Sequence, residues 1–427
     1  MEQTIEQFRN IALTLRKNEV WRNVDFTDVL GDDFVTATDV DAKADNLHCN
    51  IPDLDCERLT LTNGRCVTPL TATPDGIIYG SLRRALSERP ELVEPYLGHC
   101  VRKSNPYEAL NASHYSDGIF LYVPDGTKAH KPFQILSVTT GEKPLFVQTR
   151  HLIVVGKNSS ITLIQCDDSM GQSRSMTSSV TELHAAEASH VELYKMQNMN
   201  DLSGLLNQCF ATLQSDATLR SFVVTLNGGH LRNHIEVSMQ GEHANSEVHG
   251  QYLIDKEQQA DNYVYVDHAA PQCQSNALYK GIVDDSARAT FNGHVLVAEG
   301  AVKTEAFQTN RNILLTDKAN VVSKPFLEIY NDDVKCSHGS TTGQIDEQAL
   351  FYIRSRGISE RTARTLLYYA FCDEIIQKIS LPVLRDRLSD MVKKRLHGEL
   401  SACADCALHC STPCGDASAF HIDPTKL

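Results

Sequence analysis

The residues most able to do chemistry lie late in the chain. In Asp332-Asp333-Val334-Lys335-Cys336-Ser337-His338-Gly339, a cysteine and a histidine stand two positions apart. Side chains alternate along a strand, so a strand here puts Cys336 and His338 on one face. A thiolate and an imidazole on one face can serve a single soft metal ion or iron–sulfur unit. They make half of a tetrahedral site, and the missing ligands must come from distant parts of the chain or from another chain. Two other readings compete. One is a nucleophilic Cys–His pair, disfavoured because strand spacing rarely brings Sγ within hydrogen-bond reach of the ring. The other is a buried cysteine beside a surface histidine, which is common by chance.

A second cluster closes the chain. Cys403, Cys406, Cys410 and Cys414 give C-x2-C-x3-C-x3-C, with His409 among them. Four thiols so close could wrap one metal ion or a small cluster, although the spacing matches no zinc or ferredoxin pattern. The bland alternative is a disordered tail. The other nine of the 13 cysteines are scattered from Cys49 to Cys372. In a reducing compartment these read as small buried hydrophobes rather than disulfides.

Three kinds of element must position these residues. Residues 1–112 read as a mostly helical region: Ile5, Phe8, Ala12 and Leu15 form one apolar stripe. It contains a hairpin at Leu59–Val67 that turns on Asn63-Gly64, and helical text from Ser81 to about Cys100. Residues 113–346 are short β-rich runs punctuated by Gly, Asn, Asp and Ser. Four turns lead into an apolar residue: Asn158-Ser159-Ser160-Ile161, Ala188-Ser189-His190-Val191, Asp216-Ala217-Thr218-Leu219 and Asn245-Ser246-Glu247-Val248. A recurrence near 29 positions without helices predicts stacked coils, a β-helix or solenoid, over a Greek-key sandwich. Residues 347–398 turn helical. Ser359 is an N-cap, and Ala363, Leu366, Leu367, Ala370, Phe371, Ile375 and Ile379 follow at helical spacing. Pro382 starts a second helix with Leu384, Leu388, Met391 and Val392 on one face. These helices are expected to cap the end of the β-stack. Residues 399–427 are the cysteine-rich tail.

Composition narrows the functional classes. The formal net charge of −14 argues against a nucleic-acid partner, which draws on Lys and Arg clusters. No apolar run approaches the ~20 residues of a membrane-crossing helix. Met1–Glu6 lacks the apolar stretch of a secretory signal, so a cytoplasmic chain is expected. No Gly-x-x-x-x-Gly-Lys-Ser/Thr loop is present, so ATP hydrolysis would belong to a partner. A β-helix polysaccharide lyase predicts a secreted protein, which this N-terminus does not. A stand-alone metal-storage or metallochaperone protein would use the cysteine tail and need no partner.

The stretch Asp332–Gly339, followed by Phe351-Tyr352-Ile353-Arg354-Ser355-Arg356-Gly357-Ile358, resembles the signature of the SufB/SufD family. Trp21, Asn63-Gly64-Arg65, Asn105-Pro106-Tyr107-Glu108-Ala109-Leu110-Asn111 and the block from Phe291 to Gln308 are similar too. The form Cys336-Ser337-His338-Gly339 fits the SufD branch. The stretch Leu314–Asn320, where SufB carries its assembly cysteine, has none. The resemblance implies a right-handed parallel β-helix between helical ends, acting as a non-catalytic scaffold for iron–sulfur cluster assembly. It further implies C-terminal helices that dock the ATPase SufC, and pairing with SufB through the β-helix, where the nascent cluster or its iron forms. His338 would act there with the SufB cysteine. Cys336 would lie beside it and become accessible when ATP rearranges the complex. Reduced FAD in the assembled complex and a homodimer in the absence of SufB are also implied.

Overall fold

The computed structural model describes residues 2–397 except 16, 28, 32, 38–50, 52, 102–104 and 170–173. From Ile119 onward, successive strands fall alternately into two sheets, and each pairs in parallel with the strand two places away. The first sheet runs through Ile119–Val123, Leu145–Val155, Ser175–Ala185, Gly204–Leu213, His230–Met239, Gln259–His268, Arg288–Val297 and Asn320–Ile329. The second runs through Phe133–Thr139, Ser160–Ser169, His190–Asn198, Thr218–Asn227, Asn245–Ile254, Gln274–Val283, Thr304–Leu314 and Val334–Gly343. This is the parallel β-solenoid the period predicts, with about seven turns. Strands of the N-terminal region join it: Val35–Thr36 lies parallel to Leu145–Val155, Glu57–Thr62 parallel to Phe133–Thr139, and Ile78–Ser81 antiparallel to Ile119–Val123.

The coil corners explain the repeat. A tight corner needs one residue in the left-handed region, and Asn158, Ala188, Asp216, His243, Gln272 and Lys303 supply it with φ between 54° and 61°. Their N–H groups form a ladder from coil to coil. Asn158 donates to Glu187 O and Ala188 to Ser215 O, both at 2.9 Å, and Gln272 donates to Val302 O at 2.8 Å. Three of the four sequence turns begin on these residues. The fourth is two positions late: Thr218 pairs with Asn245, so Asp216 corresponds to His243. His243 has neither the small nor the amide side chain that marks such a corner in sequence.

The interior between the sheets holds the largest apolar cluster, including Leu163, Leu193, Leu219, Val248, Phe291 and Val295. Each sheet also has an apolar outer face, and each is covered separately. On the first sheet, Phe146, Met176 and Leu206 meet Phe8 of the helix Glu2–Leu15, Trp21, Phe26 and Tyr107. On the second, Tyr194, Phe222, Val224, Leu253 and Leu278 meet Ile375, Ile376, Leu384, Leu388 and Met391.

The C-terminal helices therefore lie along the flank of the second sheet and do not cap the stack. They are Glu360–Ile376, capped by Ser359, and Pro382–Leu396, opened by Pro382; the shorter helix Glu347–Ser355 precedes them and packs on Glu360–Ile376. The reason is energetic: an outer sheet face bearing tyrosine, phenylalanine and leucine loses more by staying wet than a strand edge does. Among the described residues the last strands, Asn320–Ile329 and Val334–Gly343, each pair on one side only, so the solenoid ends in two open edges. Among the described residues no helix is long and apolar enough to cross a membrane.

Candidate functional site

The open end carries the Cys-x-His pair. Val334–Gly343 lies on Thr304–Leu314 in a register that sets Cys336 over Ala306, His338 over Gln308, Ser340 over Asn310 and Thr342 over Asn312. Those four lower residues are buried inside the solenoid. In-register stacking then turns Cys336 and His338 to the inward face, as alternation predicts. Cys336 is half-buried against the interior cluster, while His338 is exposed because no further coil covers it. Burial pushes the Cys336 thiol above its ordinary value, against a hydrogen bond from the Ala306 backbone. At neutral pH the residue therefore rests as a thiol, a poor nucleophile that must lose its proton to bind a metal. A two-residue step along a strand is roughly 7 Å, so the two side chains do not form an enzymatic Cys–His pair.

The floor beneath them is polar. Asn312 Nδ2 donates to Asn310 Oδ1 at 2.7 Å, and Asn310 Nδ2 to the Tyr252 hydroxyl at 3.2 Å. Gln308 Nε2 donates to Phe326 O at 3.0 Å, tying the two sheets together across the last coil. Around the rim, Phe307, Phe326, Ile329 and Tyr330 are exposed. Two unpaired strand edges beside exposed aromatic residues make a surface suited to pairing with another chain.

Other motifs from the sequence prove structural. Asn105 caps the helix Pro106–His114 by accepting from Glu108 N at 3.0 Å. Asn111 Nδ2 bridges Thr149 O and Ser178 O at 3.1 and 3.0 Å. Arg150 donates to Glu182 from Nε and Nη2 at 2.8 and 2.6 Å, and to Glu108 from Nη1 at 2.9 Å. Trp21 stacks on His234 with centroids 5.4 Å apart and holds the Arg232 guanidinium 4.5 Å from its ring centre.

Sequence reasoning missed one soft-ligand cluster, Cys100, Glu182 and His184. Its chemistry is fastening rather than metal binding. Glu182 already accepts from Arg150 and from Gly98 N at 2.7 Å, and His184 Nε2 donates to Tyr96 O at 2.9 Å. Burial holds the Cys100 thiol well above its ordinary value. These residues bind the segment around Tyr96–Cys100 to the first sheet. No local pattern could have revealed them, because over 80 residues separate Cys100 from its partners. Cys403, Cys406, Cys410 and Cys414 lie outside the described residues.

The flanking helices are held by charge as well as by apolar contact. Ser380 Oγ donates to Glu192 at 2.5 Å, and Arg220 Nη2 donates to Lys378 O at 2.7 Å. Arg220 also meets Glu192 and Glu247, each at 3.0 Å. Burial alone would raise the Glu192 carboxyl. Contacts from His190 and Ser380, with the charge of Arg220, outweigh it and bring the pKa down to about 2. Glu247 is held at about 2 as well, first by adjacent His249 and then by Arg220, against burial. A carboxyl with a lowered folded pKa contributes stability that is complete above its unfolded value and lost as pH falls through the folded one. Amide protection factors in residues 375–391, corrected for the intrinsic exchange rate at each pH, should therefore fall between about pH 4.5 and pH 2, ahead of those in the solenoid strands. Simultaneous loss of protection in both would show that these carboxylates do not hold the helices.

The Glu347–Ser355 helix, by contrast, leaves Phe351 and Tyr352 in solvent, 74% and 60% exposed.

Comparison with known proteins agrees with this architecture. Residues 137–371 match the family described as "SUF system FeS cluster assembly, SufBD core domain", and residues 1–135 match "SufBD protein N-terminal region". The chain is 29% identical over 401 residues to the iron–sulfur cluster assembly protein SufD of Escherichia coli, covering 93% of this chain and 92% of that protein. It is 30% identical over 403 residues to an iron–sulfur cluster assembly SufBD family protein of Synechocystis, covering 90% and 88%. With a similar protein of Mycobacterium leprae it shares 40% over 194 residues, 44% of this chain and 50% of that one. A solenoid with a polar, sulfur- and imidazole-bearing open end and helices at both termini thus falls in one class: the chain belongs to the SufB/SufD family of iron–sulfur cluster assembly proteins. Within that family it is SufD-like.

Proposed function

We propose that this chain is a non-catalytic scaffold subunit of a cytoplasmic SufB–SufC–SufD assembly complex, and that its open solenoid end is where the nascent cluster forms. The observation that carries this reading is the last strand: among the described residues it is unpaired on one side, and it presents Cys336 and His338 over the solenoid interior. In the complex, a SufB chain pairs with these edges. The His338 imidazole receives iron there while a SufB cysteine holds sulfur, which supplies the ligands that two residues on one strand cannot. Cys336 stands one alternation away, kept as a thiol until the junction opens. Without SufB, the same edges pair two copies of this chain.

The C-terminal helical region serves as the SufC dock. ATP-driven closure of two SufC subunits moves these helices and, through them, the shared junction. The exposed Phe351 and Tyr352 are suited to anchor that contact, because buried aromatic side chains dominate interface energies. Replacing both by alanine should weaken co-purification with SufC by about tenfold or more, with melting little changed because both side chains are exposed and the Tyr352 hydroxyl meets the neighbouring Arg356 on its own helix end. Undiminished SufC binding would place the dock elsewhere.

Reduced FAD in the assembled complex belongs to the same reading. No step above runs through a flavin.

A further inference from the structure

A cavity of about 680 Å³ opens on the outer face of the first sheet, far along the chain from Cys336 and His338. Its floor is the sheet ladder His230–Gln259–Arg288–Asn320 with the adjacent Asp261–Thr290–Val322. The segment Arg22–Phe26 forms the opposite wall, tied down where His230 Nδ1 donates to Asp25 O at 3.0 Å. The volume lies within the range of small-molecule sites.

The charges around it are unusual for a chain of net charge −14. Arg22, Arg288 and Lys318 line the cavity from three separate elements. All three are exposed, and none has an ion pair among the described residues. The acidic neighbours are engaged elsewhere: Asp25 Oδ1 accepts from Thr27 N at 2.9 Å, and Asp261 Oδ1 accepts from Arg232. Cations from three elements lining one cavity favour an anion there. Arginine forks and a lysine are suited to phosphate oxygens.

A second feature points to the other end of the ligand. Asp261 is 7% exposed, and its Oδ2 has no hydrogen-bond partner. A buried acceptor left unpaired costs about 1–3 kcal/mol, and a hydroxyl or amino donor would remove that cost.

We propose that this cavity binds a phosphorylated small molecule of nucleotide size. Its phosphates lie against Arg22, Arg288 and Lys318, and a hydroxyl or amino group donates to Asp261. The site binds and does not hydrolyse, since the chain has no phosphate-cradling loop of the nucleotide-hydrolysing type. It is independent of the open end, so its ligand is not the cluster.

The test is calorimetric titration of the purified full chain with ADP and, separately, with inorganic pyrophosphate. One ADP per chain is expected, bound more tightly than pyrophosphate and less tightly as salt rises. Arg288→Glu with Lys318→Glu should weaken both probes at least about tenfold, with the melting transition retained because both side chains are exposed. Absence of binding at millimolar probe, or binding indifferent to the two charge reversals, overturns the site. Equal affinity for ADP and pyrophosphate overturns the contact with Asp261. Asp261 itself is left intact because Arg232 depends on it.

Discussion

Arg150→Met is expected to lower the free energy of unfolding by about 3–5 kcal/mol, the usual cost of removing one partner from a buried ion pair. Arg150 is 2% exposed, and its two partners, Glu108 and Glu182, are 4% and 0% exposed. Its guanidinium makes three hydrogen bonds of 2.6–2.9 Å to these carboxylates. Glu182 would keep its bond from Gly98 N, while both buried carboxylates would lose the guanidinium charge that faces them. The helix Pro106–His114 and the Tyr96–Cys100 segment should both loosen, since each is fastened through one of these carboxylates. Chemical denaturation of the two proteins measures the loss. Adding Glu108→Gln and Glu182→Gln to the methionine variant should restore much of it, because the penalty lies in uncompensated charge rather than in a missing bond. A loss under about 1 kcal/mol would mean that water reaches these carboxylates.

Ser340→Lys with Thr342→Lys is expected to weaken pairing at the open end by about a hundredfold or more. Both residues stand on the unpaired last strand, above buried Asn310 and Asn312. In the free chain the new ammonium groups remain in water and the fold should be unaffected, since lysines on edge strands are how proteins keep such edges single. On pairing they would be enclosed without partners, at a cost of several kcal/mol. Sedimentation of the chain alone reads the homodimer, and co-purification reads the SufB pair. Normal assembly by the variant would move the interface away from this edge.

Much of the architecture could be read from local chemistry. Asn63-Gly64 does form the hairpin turn, with φ of 50° and 77° and with Leu61 opposite Cys66. Ser359 and Pro382 mark helix starts because capping and ring geometry act over three or four residues. The coil period showed through because three corners carry Asn158, Ala188 and Asp216 just before small residues. It slipped at His243, and it was never visible at Gln272 or Lys303. There the ladder of stacked backbone hydrogen bonds holds the left-handed conformation whatever the side chain. The path of the C-terminal helices was misread for a related reason: their apolar faces show that they cover something, and only the second sheet's Tyr194, Phe222 and Leu253 show what. Cys336 and His338 were legible because alternation is a property of one strand. The Arg22, Arg288 and Lys318 cluster was not, because coil stacking and the N-terminal wall bring those residues together from nearly 300 positions apart.

The central claim is that the open solenoid end, with His338 at its edge, is where a cluster is assembled between this chain and a SufB partner. The most direct measurement is co-purification of the wild-type and His338→Ala chains with SufB and SufC, followed by iron and sulfide analysis of each complex. The account predicts complexes of identical composition, with iron and sulfide in the variant reduced about tenfold to a hundredfold. Equal iron and sulfide in the two complexes, or failure of the wild-type chain to join SufB and SufC at all, would contradict it.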